Sequence, residues 1–145
     1  MKYMDCSDMQ YINSISLADY NNLRKSVGWD EIENKQAQTG IDNSAYIVSA
    51  VYKGKTAGMA RVVSDGGYVA IIVDVVVLPE FHGMGIGKTM MDMVMGHIKD
   101  NLAEGQGVFV NLMAAKGRQS FYRQFGFIER PNEHLGPGMT QWISK

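Results

Sequence analysis

Cysteine is almost absent: Cys6 is the only one in 145 residues, so no disulfide can form within the chain, and no Cys and His spacing suits a zinc site. An excess of one charge is lacking too. Lys plus Arg number 14 against 15 Asp plus Glu, a formal net charge of -1, whereas a protein that grips nucleic acid usually carries a clear basic excess. Nucleic acid is therefore excluded as the expected partner. No stretch reaches the roughly 18 apolar residues of a membrane span, and the opening MKYMDCSDMQ is too polar for a secretory signal. The expectation is a soluble cytoplasmic protein with no membrane partner. Internal repeats, linkers and low-complexity tracts are missing, and His82, His97 and His134 are scattered, so no metal is expected.

What is present is an ordinary globular balance, 46% hydrophobic and 20% charged residues, enough to fill a core. The length is near the commonest domain size, which predicts one domain over residues 1–145. The 11 methionines read as adaptable core filler.

Local signals divide the chain. Ser16-x-x-Asp19 reads as a cap before Leu17, Tyr20, Leu23 and Val27 at helical spacing, with Gly28 as the stop. Asp30-x-x-Glu33 reads as a second cap and first turn, with Gly40 as the stop. From Tyr46 the period changes. AYIVSAVY, a Lys53-Gly54 turn, TAGMARVV, a turn at Ser64 to Gly67, and YVAIIVDVVVL predict a three-strand antiparallel meander. The third strand (Tyr68 to Leu78) is apolar apart from Asp74, which predicts cover on both sides and a central place in the sheet. A helix from about Lys88 to Asn101 follows, then a strand at Val108 to Ala114, a short helix around Arg118 to Phe125, a strand from Phe127 and a last strand near Met139 to Ile143.

The chemistry concentrates in HGMGIGKT, residues 82 to 89. Strand, glycine-rich turn and helix start form an anion-binding arrangement, because glycines let backbone amides converge and the helix N-terminus carries about half a positive charge. The phosphate-loop pattern fails on spacing, since its leading glycine position holds His82 and Gly83 lies one residue too close. The dinucleotide fingerprint fails as well: Gly83, Gly85 and Gly87 are spaced G-x-G-x-G, and the strands before them are hairpins.

VVVLPEFHGMGIGKTMM, taken with SFYRQFGF at residues 120 to 127, resembles the GNAT superfamily of acetyl-CoA-dependent N-acetyltransferases. That family's signature is Arg/Gln-x-x-Gly-x-Gly/Ala between a strand and a helix. The resemblance is strong from about Ala45 to Phe127 and weak in the first 40 residues. It implies an α/β fold: a mixed, mostly antiparallel twisted sheet with a parallel, splayed central strand pair and helices on both faces. It also implies acetyl-CoA as cosubstrate, a small-molecule primary amine as acceptor, direct attack in a ternary complex, and a homodimer as a common arrangement.

Residue by residue, the resemblance implies that the backbone at Val75 and Val77 bonds the pantetheine arm and that a donor at Val75 meets the thioester oxyanion. One such donor is typically worth about 2.7–4 kcal/mol. It further implies that His82, Gly83, Met84, Gly85, Ile86, Gly87 and Lys88 surround the pyrophosphate, and that Tyr122 protonates the departing thiolate. His82 stands where Arg or Gln is usual, and Arg118 stands where many members have Asn near the pantetheine arm. Ile71 and Val73 stand where some members carry a Glu or His base. Asp74 is a candidate base or a structural acceptor, since a lone buried charge must be paired, wetted or functional. Trp29, Glu31 and Glu33, with Asp30, form a group that could attract a cationic amine, and His134 sits beside Glu133 in a loop that could line the acceptor pocket. Two other readings stand beside this one: a non-catalytic acyl-CoA sensor of the same fold, and a nucleotide-binding protein with a degenerate phosphate loop.

Overall fold

Caps and apolar spacing decide where the helices fall. In the computed structural model, which describes residues 5–145, strand β1 (Met9–Ile12) precedes helix α1 (Leu17–Ser26), whose N-cap Ser16 accepts the Asp19 amide on its Oγ at 3.1 Å. Tyr20 and Leu23 are buried on the apolar face of α1, and Gly28, at φ 82°, lies just beyond its C-cap Val27.

Helix α2 (Asn34–Asp42) differs from the sequence expectation at both ends. Glu33 is its cap, not Asp30, because the Glu33 carboxylate reaches the amides of Lys35 and Gln36 at 3.0 and 2.9 Å. Those bonds hold the Glu33 carboxyl below its ordinary range. Gly40 lies inside the helix instead of ending it, its carbonyl taken by Arg61 Nη1 at 3.2 Å.

Strands β2 (Tyr46–Tyr52), β3 (Lys55–Ser64) and β4 (Val69–Val77) form the expected meander. The β2–β3 turn places both Lys53 (φ 47°) and Gly54 (φ 80°) in the left-handed region, as a tight hairpin requires. Helix α3 (Ile86–Asp100) then carries the chain back to β5 (Phe109–Leu112), which pairs parallel with β4. The sheet order is β1-β2-β3-β4-β5. The short strand β1, which pairs with β2 from Met9↔Tyr52 to Ile12↔Ser49, is an addition to the elements read from sequence.

Helices cover both faces of the sheet. A side chain at Gly58 would meet Ile86 and Met90 of α3, whereas Arg61, three positions along β3, joins Arg24 of α1 at Asp74. An odd separation along a strand means opposite faces. Met90 and Met91 are fully buried beneath α3, so the methionine stripe is core. Strand β4 departs from full cover: Ala70, Ile72 and Val76 are buried, but Ile71 is 41% exposed beside Val63 at 42%, its opposite number on β3.

The chain divides into two compact units, Met1–Leu112 and Met113–Lys145. The second holds helix α4 (Gln119–Arg123), with Arg118 as its N-cap residue. The strands expected from Phe127 and near Met139 to Ile143 do not form in the described residues. Ile128 is 70% and Met139 88% exposed. Apolar residues at strand-like spacing make no strand without a partner edge to bond.

Gly58 has no room for a side chain, since a Cβ there would lie 2.9 Å from the Val76 carbonyl of β4 and 3.1 Å from Met90 Cε of α3. Gly58→Ala should therefore lower stability by about 1–3 kcal/mol, read as a lower urea midpoint at unchanged slope.

Candidate functional site

The site begins where two strands part. Parallel pairing of β4 with β5 ends at Ile72↔Leu112, while β4 continues to Val77. Past Ile72, no strand of the first unit pairs with that edge.

The facing of the free backbone follows from the β3 ladder. Leu78 donates its amide to Ala57 at 2.8 Å, so Leu78 and, two residues back, Val76 bond toward β3. Val75 and Val77 therefore turn their backbone groups to the open edge. This phase depends on a β-bulge: Arg61 pairs with Val73 and Met59 with Val76, leaving Asp74 and Val75 opposite Ala60 alone. Asp74 carries the bulge at φ 54°, a left-handed conformation shared among non-glycine described residues only with Lys53.

Beyond Val77 the chain makes a short 3-10 turn (Pro79–Phe81), passes His82, and enters α3 through Gly83 (φ 83°) and Gly85 (φ 76°), the N-cap of α3. Gly85 has no side chain to cap the helix, and the first helical bond is Thr89 N–H to the Gly85 carbonyl at 3.0 Å. The amides from Gly83 to Lys88 consequently donate to no group among the described residues. A row of free amides at a helix N-terminus binds anions. The His82 Nε2–H donates to the Val77 carbonyl at 2.8 Å, clamping the strand end. Lys88 pairs with Asp92 at 2.8 Å on the surface, an exposed contact that a competing anion readily displaces.

Asp74 is the centre of a buried polar cluster. Its Oδ2 accepts from the Tyr20 hydroxyl at 2.7 Å and from Arg61 Nε at 2.9 Å, and its Oδ1 accepts from Arg24 Nη1 at 3.2 Å. The Asp74, Arg24 and Arg61 side chains are 9%, 10% and 15% exposed. Arg24 Nε also donates to the Asp30 carbonyl, and Arg61 Nη1 to the Gly40 carbonyl and Ser44 Oγ. Burial, and the Asp74 charge beside it, push the Tyr20 phenol up, so it stays a donor. Sequence reasoning named Asp74 but not these partners. The available signal was Arg61, a lone charge in the apolar run of β3.

Two of the acidic residues near Trp29 have partners. Glu31 pairs with Lys25 at 2.7 Å and Glu33 caps α2. Trp29 joins the Asp74 cluster indirectly, lying under Arg24 with Cζ 5.3 Å from its ring centroid. A cavity of about 500 Å³ lies at the other end of β4, lined by Ser64, Tyr68, His97 and Asn101 among others, and contains none of the residues singled out from sequence.

In the second unit, Tyr122 is buried, with Phe121 and Phe127 edge-on to its ring at 5.0 and 6.3 Å between centroids. Its hydroxyl is not among buried polar atoms left without a partner. Burial pushes the phenol up, partly offset by the Arg118 charge. His134 is exposed, 3.9 Å from Glu133.

A family model for an acetyltransferase (GNAT) domain matches residues 16–140. An uncharacterized N-acetyltransferase, ycf52, of Pyropia yezoensis is 33% identical over 123 residues, 82% of this chain and 68% of that protein. Among solved structures, a probable acetyltransferase from meticillin-resistant Staphylococcus aureus superposes with a TM-score of 0.81 at 30% identity, covering 92% of this chain and 99% of its own. A GNAT family protein of Streptococcus pneumoniae superposes with a TM-score of 0.73 at 27% identity, covering 94% and 97%.

Gly85 is held left-handed with open space around it, since a Cβ there meets nothing within 4 Å. Gly85→Ala should therefore cost only the backbone strain, about 1–2 kcal/mol. Gly96, inside α3 with equally open space, is the control: Gly96→Ala should add about 0.5–1 kcal/mol. Urea denaturation of the two variants checks both signs.

Proposed function

The chain belongs to the GNAT acetyltransferase family, and on that premise we propose that it moves an acetyl group from acetyl-CoA to a primary amine of a small molecule, by direct attack in a ternary complex. The observation that supports this reading is two sets of main-chain groups left without partners: the Val75 backbone and the Val77 amide on the open edge of β4, and the free amides of Gly83 to Lys88. One set suits the amides and thioester of a pantetheine arm. The other suits a pyrophosphate.

In the proposed reaction the amine lone pair attacks the thioester carbonyl carbon. A C–N bond forms, and the carbonyl π pair moves onto oxygen, where the Val75 N–H stabilises it. Collapse re-forms the carbonyl and breaks the C–S bond. The departing thiolate takes the phenol proton of Tyr122, which solvent later replaces, and the proton on nitrogen leaves to water. Ile71 and Val73 offer no base, and both Asp74 oxygens already accept from its cluster. The amine therefore attacks in its neutral form or loses its proton through solvent.

Acetyl-CoA and free CoA, but not ATP with magnesium, should raise the melting temperature. At 100 times Kd the gain is about 2.7 kcal/mol, or roughly 5 to 15 °C for a chain of this size. Thiol release in the presence of small primary amines then tests turnover. A shift with acetyl-CoA and no turnover on any amine would favour the sensor reading. A shift with ATP alone would overturn the cofactor assignment.

Tyr122→Phe should lower kcat at least tenfold with little change in acetyl-CoA affinity. The acid must be protonated, and burial places the Tyr122 phenol above its ordinary value of 10.0. Loss of its proton should thus reduce kcat only above about pH 10, and this alkaline limb should vanish in the variant. Unchanged turnover in Tyr122→Phe removes Tyr122 from the mechanism.

A further inference from the structure

We propose that Asp74 is a positioning residue for this acyl transfer: its carboxylate, gripped by Tyr20, Arg24 and Arg61, holds the left-handed bulge that keeps the Val75 amide on the open edge of β4. The inference rests on the acetyltransferase reading above and adds a function for a cluster that takes no part in the chemistry itself.

The register gives the reason. With the bulge, Val76 faces Met59 in the bonded phase of the ladder, and Val75 points away from β3. Without it, pairing would run on from Val73↔Arg61 to set Asp74 opposite Ala60 and Val75 opposite Met59. The Val75 amide would then turn inward and bond to β3. A one-residue change in register thus converts a free donor into a ladder bond. An aspartate tolerates φ 54° better than most side chains, yet the extended conformation of an unbulged strand remains its lower-energy choice. Donors from three directions overcome that preference, and all bear on one side chain.

The same contacts tie the bulge to the rest of the first unit. Tyr20 and Arg24 belong to α1 and Arg61 to β3. Arg61 also bonds the Gly40 carbonyl within α2 and Ser44 Oγ just beyond it. The direction of the Val75 amide is therefore set by the packing of two helices against the sheet, through one carboxylate.

The test uses Asp74→Asn, which keeps the size and the tolerance of a left-handed conformation but cannot accept on both atoms. Tyr20→Phe removes a single donor and serves if Asp74→Asn does not fold. Three quantities are measured below the melting temperature of each variant: kcat, Kd for CoA, and the amide 1H–15N peak positions along β4. The expected result is a kcat at least tenfold lower in Asp74→Asn and at least threefold lower in Tyr20→Phe, with Kd for CoA within threefold of wild type. The peaks of Val75 and Val77 should move while those of Val69 to Ile72, paired to β5, stay in place. Unchanged kcat in a folded variant, unmoved Val75 and Val77 peaks, or a loss of CoA affinity matching the loss of kcat would each overturn the proposal. The peak positions need no turnover. A wild type inactive on every amine but with displaced Val75 and Val77 peaks in the variants would sink the acetyltransferase reading and leave the clamp standing.

Discussion

One buried carboxylate sets the geometry on which the site depends. Asp74 lies between two guanidinium groups and a phenol, with its side chain 9% exposed. Removing one partner of such a buried pair typically costs about 3–5 kcal/mol, because the remaining charge is left in a poorly solvating interior. The arginines outnumber the carboxylate, and the backbone carbonyls of Asp30 and Gly40 each take one further donor. Replacing buried ion pairs of this kind by apolar residues of similar volume is often neutral or stabilising. What the cluster supplies is direction: each bond has a preferred line, and together they admit one conformation of the strand at residue 74.

The consequence is a site built mainly from the main chain. Where β5 stops at Leu112 and β4 continues, polar backbone is left without a strand partner. Where Gly83 and Gly85 turn the chain into α3, another set of amides is left without carbonyls. Apart from the Val77 carbonyl, which His82 takes, both sets are open to a ligand, and neither needs a particular side chain. This explains why the apolar residues Val75 and Val77 can occupy the positions closest to the proposed chemistry. It also explains how His82 can stand where an arginine or glutamine is usual. Its imidazole braces the Val77 carbonyl, and the amides beyond it remain free.

Much of the fold was legible because its signals are local. Ser16 capped α1 as its spacing indicated, the Lys53-Gly54 pair made the hairpin, and the alternation from Tyr46 onward gave three strands within a residue or two of their observed ends. Errors arose where a signal was shared or non-local. Asp30 and Glu33 are both acidic and three residues apart, and only the path of the chain decides which carboxylate reaches the free amides of α2. The strand β1 is four residues long and exists through its pairing with β2. The apolar residues near the C-terminus carry a strand-like composition, yet strands need a bonded edge, and Met139, Trp142 and Ile143 stay more than 80% exposed.

The sequence by itself determined the glycine-rich turn, the apolar strand leading into it, and the absence of a titratable group at Ile71 and Val73. These are matters of residue type and spacing, and they were enough to point to the family. Tertiary structure alone decided what Asp74 does. Tyr20, Arg24 and Arg61 lie 54, 50 and 13 residues from it in the chain, and nothing in the local pattern of any of them points to the others. The same holds for the direction of the Val75 amide. It turns on a single unpaired residue in the β3–β4 ladder, and a register is a relation between two strands that neither strand encodes alone.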